Sequence, residues 1–115
     1  MFNFEKLEVW PKAIAFAGAV YRVTKSFSAD ERFGLTNQVR RAANSIPSNL
    51  AEGSARPPAD FAKFVGYAAG SLFEVVTQAT VARNEGLLTP SDFEQLYRDA
   101  DEISRMLSGL KRSVD

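Results

Sequence analysis

The sequence predicts an all-α fold: an up-down-up-down four-helix bundle formed by one domain over residues 1–115. Three observations predict it. Apolar residues recur at three- and four-residue spacing along most of the chain. No alternating run of β-branched residues bounded by turns is present. Proline- and glycine-bearing punctuation divides the periodic stretches into four segments of roughly 20 residues, each about 30 Å long as a helix.

The first segment runs from about 7 to 26. Leu7, Trp10, Ile14, Ala17, Tyr21 and Thr24 form its stripe, widened by Ala13, Phe16, Val20 and Val23. Pro11 is tolerated in a first turn, where its missing N–H is not needed. "SFSADERFG" interrupts the pattern, and Ser28 or Asp30 is placed to cap the second segment, 31–53. Leu35, Val39, Ala42 or Ala43, Ile46 and Leu50 line its face. Gly53 sits where a helix end favours a residue able to adopt positive φ.

"SARPPAD" starts the third segment, 59–85, which is apolar nearly all round; such a helix is buried on more than one side. Gly66 and Gly70 add small residues that allow close approach of another helix. The expectation is that this helix touches both its own bundle and a second copy, giving a homo-oligomer; a wholly intrachain contact is the alternative. Gly86 ends the segment. Thr89 and Pro90 open the fourth, 90–111, striped by Phe93, Leu96, Tyr97, Ala100, Ile103, Met106 or Leu107 and Leu110.

Composition narrows function. There is no cysteine and no histidine, which removes thiol chemistry and the commonest general base and metal ligand. No nucleophile–base pair is visible, so no enzyme, catalytic residue, cofactor or metal is expected. No signal peptide or membrane span is apparent, which points to the cytoplasm and away from a membrane partner. The net charge is zero, yet residues 1–56 carry eight Lys/Arg against five Asp/Glu and residues 57–115 six against nine.

Two stretches hold unusual residues. In "RRAANSIPSNLAEGSAR" a proline interrupts a helical stripe. Pro47 cannot donate to the Ala43 carbonyl, so one kinked helix is expected, with a polar side chain or water at that carbonyl. The kink either wraps the helix round the core or aims Asn44, Ser48 and Glu52 at a neighbour; a second helix starting at Ser45 is the other parse. Glu74 lies between Phe73 and Val75 on the most apolar segment, so it is expected to be mostly buried and paired with a group such as Gln38, Arg41 or Asn49.

"FEKLEVW", "ERFGLTNQVRRAANSIPSNLAEGSAR", "FVGYAAGSLFEV" and "NEGLLT" resemble, in order and spacing, the four-helix-bundle or 23S rRNA-intervening-sequence protein family. The signature is Gln38, Arg40, Arg41, Ser45, Ile46, Pro47, Asn49, Ala51, Glu52 and Gly53, then Gly70, Ser71 and Glu74. Asn44 departs from it, standing where the family more often has a small apolar residue. The resemblance implies a bacterial, cytoplasmic, non-enzymatic protein that forms homopentamers, with one relative thought to contact nucleic acid as a reverse-transcriptase accessory. The positive excess of the N-terminal half makes Arg22, Lys25, Arg32, Arg40, Arg41 and Arg56 the candidate contacts to RNA or DNA, a reading that the resemblance strengthens. Pro47, Asn49, Glu52, Gly53, Gly66, Gly70 and Glu74 are the structural or oligomer candidates. Of the adjacent pair, one of Arg40 and Arg41 is expected to face inward to a carboxylate such as Glu52 or Glu74. A protein-interaction module without nucleic acid is the rival reading.

Overall fold

The computed structural model describes residues 1–31 and 33–114. Among them are four α-helices and no strand: α1 (Val9–Thr24), α2 (Leu35–Ser54), α3 (Pro58–Asn84) and α4 (Pro90–Val114), with short 3₁₀ turns at Asn3–Lys6 and Ala29–Glu31. Each helix packs on its sequence neighbours, and α4 closes the ring against α1. The side-chain pairings run in opposite senses on adjoining helices. Tyr21 meets Asn44 while Thr24 meets Arg40; Gly53 meets Phe64 while Ser45 meets Ser71. Consecutive helices are therefore antiparallel.

The core is one apolar column. Phe16, Val20, Ile46, Leu50, Val65, Leu72, Val75, Ile103 and Leu107 are its largest fully buried members. Each stabilises the fold by about 1.5–3 kcal/mol relative to exposure. On α1 the buried stripe is Val9, Ala13, Phe16, Ala17, Val20 and Thr24. This corrects the expected face: Ile14 and Tyr21 lie on the outer side, because the bulk of the stripe is carried by Phe16 and Val20. Pro11 falls in the first turn, as expected.

The start of α2 also differs from expectation. Ser28 and Asp30 do not cap it; they belong to the preceding 3₁₀ turn, where the Glu31 N–H donates to the Ser28 carbonyl, and Gly34 is the residue before the helix. Pro47 lies within α2, which is a single helix from Leu35 to Ser54. The parse with a second helix at Ser45 is thereby excluded. Among the described residues no side-chain donor reaches the Ala43 carbonyl. The Ser45 hydroxyl lies 2.9 Å from the Ala42 carbonyl, and Asn49 Nδ2 donates to the Ser45 carbonyl at 2.8 Å. The polar residues round the proline thus serve the Ala42 and Ser45 carbonyls rather than that of Ala43.

Gly53 is needed for a different reason from the predicted one. It is buried in the last turn of α2, and the positive φ in the described chain belongs to Gly86, at 78°. A methyl group at Gly53 would overlap the Phe64 Cβ and stand 3.1 Å from Phe61 Cδ1, so glycine is what lets α2 and α3 close together. Gly86 ends α3 as expected: its N–H donates to the Arg83 carbonyl and the Leu87 N–H to the Ala82 carbonyl, a full Schellman pair. Thr89 caps α4, its Oγ1 accepting from the Asp92 N–H at 3.1 Å.

A polar groove between the second and third helices

On α2, Gln38, Arg41 and Ser45 follow one another at helical spacing; on α3, Glu74 and Gln78 do the same. The antiparallel packing brings the two rows face to face. With Ala42 they line an open groove of about 370 Å³. Four of these residues belong to the signature that carries the family resemblance. The fifth, Gln78, escaped the sequence reading, although its spacing from Glu74 and Ser71 was the signal that could have found it.

The base of the groove is held by hydroxyls. Ser45 and Ser71 are hydrogen-bonded to each other across the helices. A serine has one proton to give. If Ser45 gives its own to the Ala42 carbonyl, Ser71 is the donor of the pair. The Gln78 amide oxygen is buried without a hydrogen-bond partner among the described residues.

Glu74 corrects an expectation. It is exposed, and no ion pair joins it to Arg41 or to any other described residue. The buried stripe of α3 is Ala62, Val65, Ala68, Leu72, Val75, Ala79 and Ala82. Glu74 lies off that stripe, next to Phe73, which is itself 58% exposed. Apolar neighbours along the chain did not mean apolar neighbours in space. Gly66 and Gly70 lie off the core as well: a Cβ at either meets nothing within 4 Å, so no helix of this chain approaches them.

The basic candidates are dispersed. Arg40 does face inward, but not to a carboxylate: its Nε donates to Thr24 Oγ1 at 2.8 Å, its Nη2 lies 3.5 Å from the Tyr21 carbonyl, and the guanidinium stacks 4.7 Å from the Tyr21 ring centroid. Arg41 lines the α2–α3 groove. Arg22 lines the cleft between α1 and α4 beside Asp99 and Glu102, and Lys25 is exposed at the end of α1. Arg56 lies at the far end of α2, about 20 Å along the helix axis from Arg41, 3.6 Å from Glu52 and over the Phe64 ring at 5.2 Å. Arg32 lies outside the described residues. A single chain therefore does not gather these cations into one patch. Asn44, the departure from the family pattern, is satisfied by donating to the Tyr21 hydroxyl at 2.8 Å.

A second, more apolar cleft of about 280 Å³ lies between α3 and α4, walled by Phe73 and Tyr97. No group of three or more Asp and Glu among the described residues is placed to hold a metal ion. No helix there is long and apolar enough to cross a membrane.

The family model of the 23S rRNA-intervening sequence protein matches residues 5–109. The chain belongs to this family. Its fold is shared with a protein of unknown function from the S23 ribosomal protein family of Bacteroides thetaiotaomicron VPI-5482, whose crystal structure superposes with a TM-score of 0.82 at 22% identity, over 90% of this chain and 97% of that one. No curated protein matches the sequence. Within the intervening-sequence family, then, the signature residues divide by position. Pro47 and Gly53 serve packing, while Gln38, Arg41, Ser45 and Glu74 open onto the groove.

Proposed function

We propose that the protein is a non-enzymatic cytoplasmic scaffold of bacterial type that assembles with copies of itself and contacts RNA or DNA through basic side chains of its first two helices. The observation that carries the nucleic-acid reading is the unpaired state of Arg22, Lys25 and Arg41. All three are exposed, and none is in an ion pair with a described residue. On α4, Arg98 and Arg105 lie within 3.8 and 3.0 Å of Glu94 and Asp101, while Lys111 and Arg112 are exposed and in no ion pair with a described residue.

Three cations on different sides of one bundle make a weak site. Repeated round an assembly they make many phosphate contacts, and affinity rises by multivalency without a basic monomer. Self-assembly is favoured by the outer side of α3, where Tyr67, Phe73 and Val81 are 56%, 58% and 47% exposed beside Gly66 and Gly70. A pentamer is the state the family resemblance implies. The contacts are to backbone phosphates first, since phosphate binding positions a protein without reading sequence.

A gel-shift titration against structured RNA and duplex DNA, at about 50 and 200 mM salt, tests this. The expected result is binding that weakens steeply with salt. Absence of binding at the lower salt, with the protein assembled, favours the other reading. That reading is a protein-interaction module using the Phe73–Tyr97 cleft.

A further inference from the structure

Arg41 and Glu74 face one groove and do not pair. A phosphate held by Arg41 alone leaves the Glu74 carboxylate unmatched, and a simple cation held by Glu74 leaves the guanidinium unmatched. The ligand that satisfies both carries acceptors on one edge and donors on another. We infer that the α2–α3 groove holds the base of an unpaired guanine in single-stranded RNA. This inference rests on the nucleic-acid reading above and names the substrate of its central groove.

Guanine presents O6 and N7 as adjacent acceptors, which an arginine fork engages bidentately. Its N1–H and 2-amino group are adjacent donors, and an ionised carboxylate accepts from both in parallel. Cytosine offers only its amino group as a donor, adenine likewise, and uracil a single N–H between two carbonyls. None of them matches a carboxylate and a guanidinium bidentately at once. The guanine must be unpaired, because the duplex occupies the edge that Glu74 would read, and RNA is recognised in sequence mostly through such splayed bases.

The rest of the groove agrees. Its volume of about 370 Å³ lies within the usual size of small-molecule sites. The Ser45 hydroxyl, committed to Ala42 and Ser71, shapes the base of the groove and takes no ligand.

The test is a fluorescence-anisotropy titration of the assembled protein with labelled uridine-rich RNA strands. One strand carries a single central guanine, one carries inosine there, which lacks the 2-amino donor, and one carries uridine. The guanine strand is expected to bind roughly tenfold more tightly than the all-uridine strand, with inosine between them. Glu74→Gln should bind the guanine and inosine strands alike, keeping only the preference over uridine that Arg41 supplies. Salt-sensitive binding with no guanine preference, or inosine equal to guanine, overturns the inference and leaves the broader reading standing. Loss of all RNA binding by the parent overturns both. Glu74 is exposed, so the variant should melt like the parent. If Glu74→Gln or Arg41→Ala instead changes the assembled mass in light scattering, the groove is a contact between copies and the inference fails.

Discussion

Gly53 of α2 lies so close to Phe64 of α3 that there is no room for a β-carbon between them. This close approach sits in the last turn of α2. Gly53→Ala should push the helices apart and cost about 1–3 kcal/mol, the usual range for overpacking. Chemical denaturation of parent and variant measures it. Equal midpoints would mean that α2 and α3 are not held in this register.

Gly70 provides the opposite case. It is helical, exposed and without a neighbour, so in an isolated chain Gly70→Ala should stabilise by about 0.5–1 kcal/mol through helix propensity alone. If α3 packs on another copy here, the bulkier Gly70→Leu should reduce the mass seen by light scattering while the helical signal is kept. An unchanged assembly would move the subunit contact to another face.

Arg40 and Arg41 are adjacent in sequence and differ in task. Thr24 is 3% exposed and links the helices by giving its proton to the Val20 carbonyl and accepting from Arg40. Thr24→Val should therefore cost about 1 kcal/mol, since it strands the Arg40 Nε. Arg40→Ala should lower the melting temperature, whereas Arg41→Ala should leave it near the parent value and weaken nucleic-acid binding. Thermal melts and gel shifts on both variants separate the roles.

The ion pair between Lys12 and Glu102, 2.6 Å apart, ties α1 to α4. Their mutual hydrogen bond, then their Coulomb attraction, raises the lysine pKa and lowers that of the glutamate. The Glu102 contribution is present above the ordinary glutamate value and is lost as pH falls through the lowered folded value. That of Lys12 is present below the ordinary lysine value and is lost as pH rises through the raised one. The difference in melting temperature between parent and Glu102→Gln should be level near neutrality and vanish in acid. It should also shrink in about 1 M salt, because both groups are half exposed. A difference that grows in acid would contradict this.

Much of the fold was legible because local signals agreed with tertiary ones. Thr89, Pro90 and the stripe Leu96, Ala100, Ile103 and Leu107 define α4 by capping and periodicity together. The position of Gly53 was readable but its reason was not, since close approach depends on Phe61 and Phe64 of another helix. Glu74 was misread because α3 is apolar on both sides while the single chain buries one. The dispersal of Arg22, Arg40, Arg41 and Arg56 depends on which side of each helix meets which neighbour, and half-chain charge carries no such information.

The proposed function is that of an assembled scaffold that holds nucleic acid by repeated phosphate contacts. Sedimentation of the protein with a labelled RNA hairpin tests it most directly. The expected result is that the RNA moves with a species of several chains and is released as salt rises from about 50 to 200 mM. A species of one chain, 12.7 kDa, with the RNA left behind at the lower salt, would contradict it.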